Sequence, residues 1–327
     1  MRVLLTGVAG FIGSHVAKAL LARGVEVKGV DNLNDYYDVA LKQARLDPLL
    51  SDKNFSFHKI NIADKDRMLP LAEFGASHIV HLAAQAGVRY SLQNPYAYAE
   101  SNLMGQVVML ELARHTKELK HFVYASSSSV YGGNTKTPFA VSDRVEKPVS
   151  LYAATKRSDE LMTHTYAHLF RVPATGLRFF TVYGPWGRPD MAAYLFTRQI
   201  LSGQAIKVFN KGKMRRDFTY IDDIVQGVLA ALDKPPHDKG TEPPIALYNL
   251  GNSHAEDLMR FISVLEEALD KKAVIDFQPM QPGDVLETFA DIASSTRDLG
   301  YKPTTNIEQG IPKFVAWYRD YHKAQNK

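Results

Sequence analysis

Cysteine is absent from all 327 residues of the sequence. Its absence excludes disulfide bonds, thiolate zinc sites and cysteine nucleophiles, and it fits a reducing compartment, so we expect a cytoplasmic protein. We predict no metal site. No run of 18 or more apolar residues is present, so we expect no membrane-spanning helix. An apolar run already begins at Val3, which leaves no room there for a secretory signal.

A strong excess of one charge is also missing, because 39 Lys and Arg residues face 35 Asp and Glu residues, a formal net charge of +4. The basic residues are scattered, so we expect no nucleic-acid partner. The densest group spans residues 211–216 and is followed at once by Asp217. It is either a solvated loop or a clamp for a small phosphorylated ligand.

Short apolar runs alternate with helical patterns through the first half of the chain. The runs cover residues 3–6, 25–30, 55–60, 78–82, 121–125 and 174–179, and the clearest helical patterns cover 14–23, 102–115 and 152–170. Strand and helix alternation of this kind is typical of a parallel sheet with helices on both faces. The sequence therefore predicts an α/β fold with a doubly wound, Rossmann-like parallel sheet.

The alternation becomes less regular after residue 178. A rigid loop spans residues 184–189, and a proline-rich polar connection spans residues 234–244. We therefore expect a dinucleotide-binding domain over 1–178 and a smaller α/β substrate lobe over 179–327, with some of its segments returning to the first domain. Ligands of such sheets bind in the crevice at the carboxyl ends of the strands.

Three glycines follow the first predicted strand in the pattern Gly7-Val8-Ala9-Gly10-Phe11-Ile12-Gly13. The first glycine permits a tight turn, the second lets backbone N–H groups approach a pyrophosphate, and the third lets the helix pack close to the sheet. The helix N-terminus adds partial positive charge. Since the motif lies between a predicted strand and a predicted helix, it predicts dinucleotide binding, with Phe11 and Ile12 in the contact.

Asp31 ends the second predicted strand, eighteen positions after Gly13. A carboxylate there accepts hydrogen bonds from the adenosine ribose and repels a 2′-phosphate, which favours NAD over NADP. A helix N-cap is the alternative role for this residue. Asn32 is expected to share the ribose contact, and Asn61 with Ile62, after the third strand, to flank the adenine.

Tyr152 and Lys156 are four positions apart on a predicted helix, so that their side chains share one face. A neighbouring ammonium favours the phenolate that a general base needs. Isolated pairs of this kind are common on surface helices. Here, however, serines 126–129 follow a buried strand, and one of them is placed to bond a substrate hydroxyl and relay its proton to Tyr152. The alternative for the serines is a turn with capping duties alone.

Taken in this order, the motifs resemble the extended short-chain dehydrogenase/reductases, and among them the sugar-nucleotide epimerases, over essentially the whole chain. The resemblance implies that Tyr152 is the base, that Lys156 also binds the nicotinamide ribose, and that Ser127 holds the 4-hydroxyl of the substrate. It also implies a homodimer built on the helices at 102–115 and 152–170. The remaining cofactor contacts that it implies are Leu82, Ala83, Ala84, Gln85 and Asn102.

The stretches 84–91 and 178–192 are most similar to UDP-glucuronate 4-epimerases. This similarity implies a UDP-sugar substrate, with UDP-glucuronate and UDP-galacturonate as the interconverted pair, and a 4-keto intermediate. Thr181 is implied to bond the sugar carboxylate, with Arg188 assisting. The other implied substrate contacts are Ser128, Ser129, Arg89, Phe209, Arg216, Gln281 and Asp284.

Related activities in the same family remain as alternatives. A UDP-glucose or UDP-galactose 4-epimerase is one, and a UDP-glucuronate decarboxylase or a sugar-nucleotide dehydratase is another. The related dehydratases carry an Asp-Glu pair where this chain has Ser128 and Ser129, and the decarboxylases carry Glu at position 129. This chain therefore lacks the catalytic acid that each of the two reactions needs. Gln281 stands where many galactose epimerases have an arginine, so Arg216 is expected to carry more of the diphosphate contact.

Overall fold

A computed structural model describes residues 1–280 and 285–325. The strands are β1 (Arg2–Thr6), β2 (Glu26–Asp31), β3 (Phe55–Lys59), β4 (His78–His81), β5 (His121–Ser127), β6 (Ala174–Phe179), β7 (Thr181–Tyr183), β8 (Ile206–Phe209), β9 (Arg215–Arg216), β10 (Phe218–Tyr220), β11 (Ile245–Leu250), β12 (Glu256–Asp257), β13 (Ile275–Gln278) and β14 (Glu287–Thr288). The helices are α1 (Phe11–Ala22), α2 (Val39–Leu50), α3 (Lys65–Met68), α4 (Tyr90–Gln93), α5 (Pro95–Tyr98), α6 (Gly105–His115), α7 (Leu151–Phe170), α8 (Ala192–Ser202), α9 (Ile221–Leu232), α10 (Leu258–Leu269) and α11 (Ile307–Gln325).

Seven strands form one sheet in the order β11-β6-β5-β4-β1-β2-β3, and every neighbouring pair is parallel. The chain runs from β1 outward to β3 and then returns to β4 on the other side of β1. The predicted α/β fold with a doubly wound parallel sheet is therefore confirmed. The crevice between the carboxyl ends of β1 and β4 is the point where such a sheet binds its ligand.

Successive residues of the central strands enter two separate cores. Val3 and Leu5 pack into the core on one face of the sheet, whereas Leu4 packs into the core on the other face. Because side chains alternate across a strand, this arrangement requires apolar residues at consecutive positions. Helices cover both faces, which explains why the predicted strands appear as continuous apolar runs.

The boundaries differ from prediction at a few informative places. β5 continues to Ser127, two residues beyond the predicted end, so that the first two serines still belong to the strand. The predicted helix at 102–115 begins with a π-helical segment, Ala99–Met104, before α6. The outermost strand, β11, comes from residues well beyond 178 and pairs with β6 along its whole length. Smaller sheets join β7 with β10, β8 with β13, and β9 with β12 and β14.

Candidate active site

The glycine turn after β1 is held by contacts that exclude a side chain. Gly7 has φ +74°, and a Cβ there would lie 2.7 Å from the backbone nitrogen of Ala83. A Cβ on Gly13 would lie 2.0 Å from the carbonyl oxygen of Gly7. Helix α1 starts directly after Gly10, and the first N–H groups of a helix have no partner within it. The residues that carry them, Phe11, Ile12 and Gly13, line a cavity at the carboxyl end of β1, a position that suits a pyrophosphate.

Asp31 closes the far side of this turn. Its two carboxylate oxygens accept hydrogen bonds from Ala9 N at 3.1 Å and from Leu33 N at 2.9 Å. Burial raises the pKa of Asp31, although the two N–H groups and Lys42 act in the opposite direction. The carboxylate therefore shapes the turn as well as the crevice wall. Asn32 uses its side-chain oxygen to accept from Asn34 N, at 3.1 Å.

Helix α2, which follows β2, contributes cations that the sequence reasoning missed. Lys42 lines the cavity and donates to the backbone and side-chain oxygens of Asn34, at 2.6 and 2.5 Å. Arg45 donates to the carbonyls of Ala9 and Trp186, at 3.2 and 2.7 Å, and so ties the glycine turn to the loop after β7. Both lie within α2, well beyond the end of β2, so no local pattern marked them as site residues.

Asn102 shapes the cofactor crevice from outside the cavity wall. It is buried, accepts from Gln85 N at 2.8 Å and donates to Gln85 O at 3.1 Å and to the Thr155 hydroxyl at 3.0 Å. Its amide thus fixes the backbone of the loop after β4, whose Leu82, Ala83, Ala84 and Gln85 line the cavity. Asn61 also lies outside the cavity wall and donates to Glu100 at 2.8 Å, while its neighbour Ile62 lines the cavity.

The four serines at positions 126–129 span the end of β5 and the turn that follows it. Ser127 is buried, and its hydroxyl accepts from Ser129 N at 3.1 Å, which starts a single 3₁₀ turn over Ser128–Tyr131. Ser126 also lines the cavity, and its hydroxyl donates to buried Glu160 at 2.7 Å. The turn leaves Ser127, Ser128 and Ser129 lining the same cavity as the glycine turn.

Helix α7 brings Tyr152 and Lys156 to that cavity. The helix begins at Ser150, whose hydroxyl accepts from Ala153 N at 3.1 Å. Lys156 is buried and donates to Ala125 O of β5 at 3.0 Å. Burial alone would lower the pKa of Lys156, but Asp159 and Tyr152 outweigh it and the net shift is upward. The ammonium therefore stays charged beside the phenol that the sequence predicts to be the base.

Thr181 and Arg188 line the other end of the cavity, together with Phe180, Met191 and Val88, which the sequence reasoning did not include. The Arg188 guanidinium donates to Asp190, at 3.0 Å from Nε, and Tyr36 donates to the same carboxylate at 3.0 Å. The charge of Arg188 is thus partly balanced within the protein, although the residue still lies on the cavity wall.

The predicted contacts for the nucleotide end are spread more widely. Arg216 lines the cavity and donates to the carbonyls of Arg215 and Leu286, at 2.9 and 3.1 Å. Arg89 stacks over the ring of Phe209, with 4.6 Å between the guanidinium carbon and the ring centroid, and neither residue lines the cavity. Gln281 and Asp284 lie outside the described residues.

One continuous cavity of about 460 Å³ thus joins the turn after β1 to the loop after β7, a volume that suits a sizeable small-molecule ligand. The predicted residues that line it are Gly7, Gly10, Phe11, Ile12, Gly13, Asp31, Asn32, Ile62, Leu82, Ala83, Ala84, Gln85, Ser127, Ser128, Ser129, Tyr152, Lys156, Thr181, Arg188 and Arg216. Within residues 1–280 and 285–325 we find no cluster of three His, Asp or Glu residues arranged to hold a metal ion. Across the same two ranges no helix is both long and apolar enough to cross a membrane.

Comparison with known proteins places these features in a family. Residues 3–251 match the model of the NAD dependent epimerase/dehydratase family. Protein CapI of Staphylococcus aureus is 49% identical, over 99% of this chain and 100% of that protein. UDP-glucuronate 4-epimerase 2 of Arabidopsis thaliana is 47% identical, over 100% of this chain and 78% of that protein.

Solved structures agree with this placement. The crystal structure of UDP-glucuronic acid 4-epimerase from Bacillus cereus, in complex with UDP-glucuronic acid and NAD, has a TM-score of 0.89 and 34% identity, and it covers 98% of this chain and 100% of that one. The resemblance read from the glycine turn, the serine run and the Tyr152/Lys156 pair is therefore confirmed, and the chain belongs to the NAD-dependent epimerase/dehydratase family.

Proposed function

We propose that this protein catalyses the NAD-dependent C4 epimerisation of a UDP-sugar, interconverting UDP-glucuronate and UDP-galacturonate. The main support is that Ser127, Tyr152 and Lys156 line one cavity with the glycine turn. A base, its ammonium neighbour and a hydroxyl therefore share the cavity that contains the dinucleotide crevice. The relatives at 46–47% identity that bear the name UDP-glucuronate 4-epimerase support the choice of substrate.

The crevice fits NAD by its own geometry. Gly7 and Gly13 leave no room for a Cβ, so the turn packs tightly against the loop after β4 and the start of α1, and that helix start supplies N–H donors for phosphate. Asp31 adds a carboxylate where NADP would carry a 2′-phosphate. When bound, NAD⁺ supplies the reversible hydride acceptor that turns the C4 alcohol into a ketone and back.

The protein's own residues handle the proton and the orientation of the sugar. Tyr152, as phenolate, takes the proton from O4 and later returns it, while Lys156 holds the charge that favours this form. Ser127 bonds the 4-hydroxyl. Because the proton and hydride both return to the sugar, the reaction has no net redox change.

A 4-keto uronate is a β-keto acid and loses CO₂ readily when its carboxylate stands perpendicular to the ring. Thr181, Ser128 and Ser129 line the cavity with hydroxyls, and Arg188 adds a guanidinium that Asp190 holds in place. We propose that this group binds the carboxylate near the plane of the ring. Neither Ser128 nor Ser129 offers the acid that elimination or decarboxylation needs.

The direct test is incubation of the enzyme with UDP-glucuronate and NAD⁺, with product identification by NMR. We expect UDP-galacturonate without CO₂ and without lasting absorbance at 340 nm, and Tyr152→Phe should reduce turnover by at least about a hundredfold. Faster turnover of UDP-glucose would instead indicate an epimerase of neutral hexoses. Accumulation of NADH or CO₂ would indicate a dehydrogenase or decarboxylase.

We also propose that the domain division lies near residue 178, with NAD held mainly before it and the sugar mainly after it, apart from strand β11. A homodimer is proposed through α6 and α7. Apolar side chains remain exposed there, including Met104, directly before α6, at 54% and Leu161 of α7 at 54% exposure. In analytical ultracentrifugation we expect twice the 36.5 kDa mass of the chain. Leu161→Glu should yield the monomer, whereas Val274→Glu, at a similarly exposed position on another part of the molecule, should not.

A further inference from the structure

The ammonium of Lys156 has three N–H donors, and two of them are committed to fixed acceptors. One donates to Ala125 O of β5 at 3.0 Å, and another donates to Asp159 Oδ2, also at 3.0 Å. The Lys156 and Asp159 side chains are 4% and 1% exposed, so water does not weaken the pair. The position of the ammonium is therefore set by a strand carbonyl and by one carboxylate.

That carboxylate is poorly satisfied for a buried group. Within the described residues, its second oxygen, Oδ1, has no hydrogen-bond partner. The neighbouring Glu160 differs, because it accepts from Arg178 and Ser126 through one oxygen and from Arg157 and Arg178 through the other. A half-paired buried carboxylate lowers stability. Lys156 is its one direct partner in the described chain, which indicates that the carboxylate serves Lys156.

We propose that Asp159 is a positioning residue of the epimerisation, which acts through Lys156 by anchoring the ammonium and moderating its field at Tyr152. The inference rests on the proposed function, since it requires Tyr152 to be the base. Asp159 does not line the cavity and so touches neither the sugar nor the dinucleotide crevice.

The direction of the effect follows from electrostatics. An ammonium close to a carboxylate presents a weaker field to a third group than an unpaired ammonium does. If Asp159 becomes neutral, Lys156 stabilises the Tyr152 phenolate more strongly. Other titratable or charged groups also act on Lys156, Asp159 and Tyr152. They are Glu160 on α7, Tyr124 on β5, His81 on β4, Tyr98 on α5 and, through Glu160, Arg157 on α7 and Arg178 on β6.

Asp159 also titrates in a useful range. Burial raises its pKa to about 6, against the opposite action of Lys156. As the pH falls through this value, Asp159 takes up a proton, Lys156 loses its counter-charge, and the phenolate gains stabilisation. The acid limb of the kcat profile of the wild-type enzyme should therefore be shallower than a one-proton slope.

The experiment measures kcat and KM for UDP-glucuronate from pH 5.5 to 9.5 with the NAD-loaded enzyme and the variants Asp159→Asn and Asp159→Ala. We expect the acid limb of kcat to move to lower pH by about one unit in both, since a nearby charge shifts an ionisation by about 1–3 units. At a given pH on that limb, the ratio of kcat to its plateau value should then be about tenfold higher in the variants than in the wild type. The limb should regain a one-proton slope, the plateau kcat should fall a few-fold, and KM should stay within about twofold.

Glu111→Gln is the matched control. It neutralises a carboxylate on α6 that accepts from Tyr166 of α7 at 2.6 Å, so that it loosens packing against the same helix without touching Lys156. It should leave the limb in place. If Asp159→Asn and Asp159→Ala only lower the melting temperature and leave the limb unmoved, Asp159 merely packs α7 and the proposal is wrong.

The wild-type slope keeps the proposal testable even if both variants unfold, because a full one-proton limb in the wild type would count against it. The variant Tyr152→Phe distinguishes failure of the proposed function from failure of the role proposed for Asp159. If that variant keeps its activity, Tyr152 is not the base and the premise fails. If it is inactive while the Asp159 variants keep the wild-type limb, only the role of Asp159 is refuted.

Discussion

Replacing Gly13 with alanine adds one methyl group at the tightest point of the glycine turn. That methyl would lie 2.0 Å from Gly7 O and 2.7 Å from Gly7 C, whereas Cβ atoms essentially never approach such atoms within 3.0 Å. Both neighbours are backbone, so no side-chain rotation can relieve the contact. The start of α1 and the turn after β1 must separate by about 1 Å, from 2.0 to at least 3.0 Å.

Such a displacement acts on two measurable quantities. Overpacking a core position lowers the free energy of unfolding by about 1–3 kcal/mol. It also moves the N–H donors of α1 relative to the pyrophosphate. Loss of one hydrogen bond to a charged group is worth about 1.5–3 kcal/mol, which corresponds to roughly a 10- to 150-fold weaker NAD affinity.

Calorimetric titration of NAD⁺ into the cofactor-stripped protein measures the affinity, and urea denaturation measures stability. Gly133→Ala is the matched control, because its Cβ would meet only Val149 Cγ1 at 3.8 Å, and it should change neither quantity beyond experimental error. Gly24→Ala, at φ +72° with open space around it, isolates backbone strain from crowding. Wild-type NAD affinity in Gly13→Ala would refute the assignment of this turn to the pyrophosphate.

Three further changes test other parts of the structure. Asp217→Asn should lower the free energy of unfolding, measured by urea denaturation, by about 2–4 kcal/mol, because the buried carboxylate accepts four hydrogen bonds and an amide NH₂ would face two of the donors. Asp257→Asn, at an exposed carboxylate, is the control and should leave the free energy of unfolding unchanged. Burial lowers the pKa of His121 to about 4, below its value of about 6.5 in the unfolded chain, so its contribution to the free energy of unfolding is present above pH 6.5 and lost as the pH falls towards 4. At pH 5 the free energy of unfolding should be lower by about 2 kcal/mol for this reason. A pH series in which His121→Gln loses as much stability as the wild type would contradict this. Asp31→Asn should narrow the preference for NAD over NADP by at least about tenfold in binding titrations, and an unchanged ratio would remove Asp31 from cofactor selection.

The strands were predictable because their faces are both buried. Every residue of β6, and every residue of β1 after Arg2, is buried because helices cover both sides of the sheet, and the mostly apolar runs that result stand out in a sequence. Strand β11 was not predicted, because its partly exposed residues, Ile245 to Tyr248, lie at the edge of the sheet and the run follows a polar loop. Its pairing with β6 is a long-range contact, which local pattern does not encode.

The site residues fall into the same two groups, those that local pattern reveals and those that depend on long-range contacts. Gly7, Asp31 and Tyr152 lie next to a strand end or at a helical spacing, so local spacing was enough to find them. Arg45 and Asp159 were missed because their importance comes from partners across the fold, Trp186 O in one case and a buried ammonium at the cavity in the other. Asn102 was expected at the cofactor, yet it acts through the backbone of Gln85, a role that only the tertiary structure reveals.

Strand β11 also affects how the polypeptide can be made and divided. The sheet that carries the nucleotide crevice is complete only when residues 245–250 have been synthesised, some 65 residues after the end of β6. Until then β6 presents an open edge, the kind of surface on which unfinished chains associate with one another. A fragment that stops at residue 178 would keep this edge permanently. Residues 180–244 thus lie between two adjacent strands of the sheet, so the two proposed domains cannot be separated by a single cut.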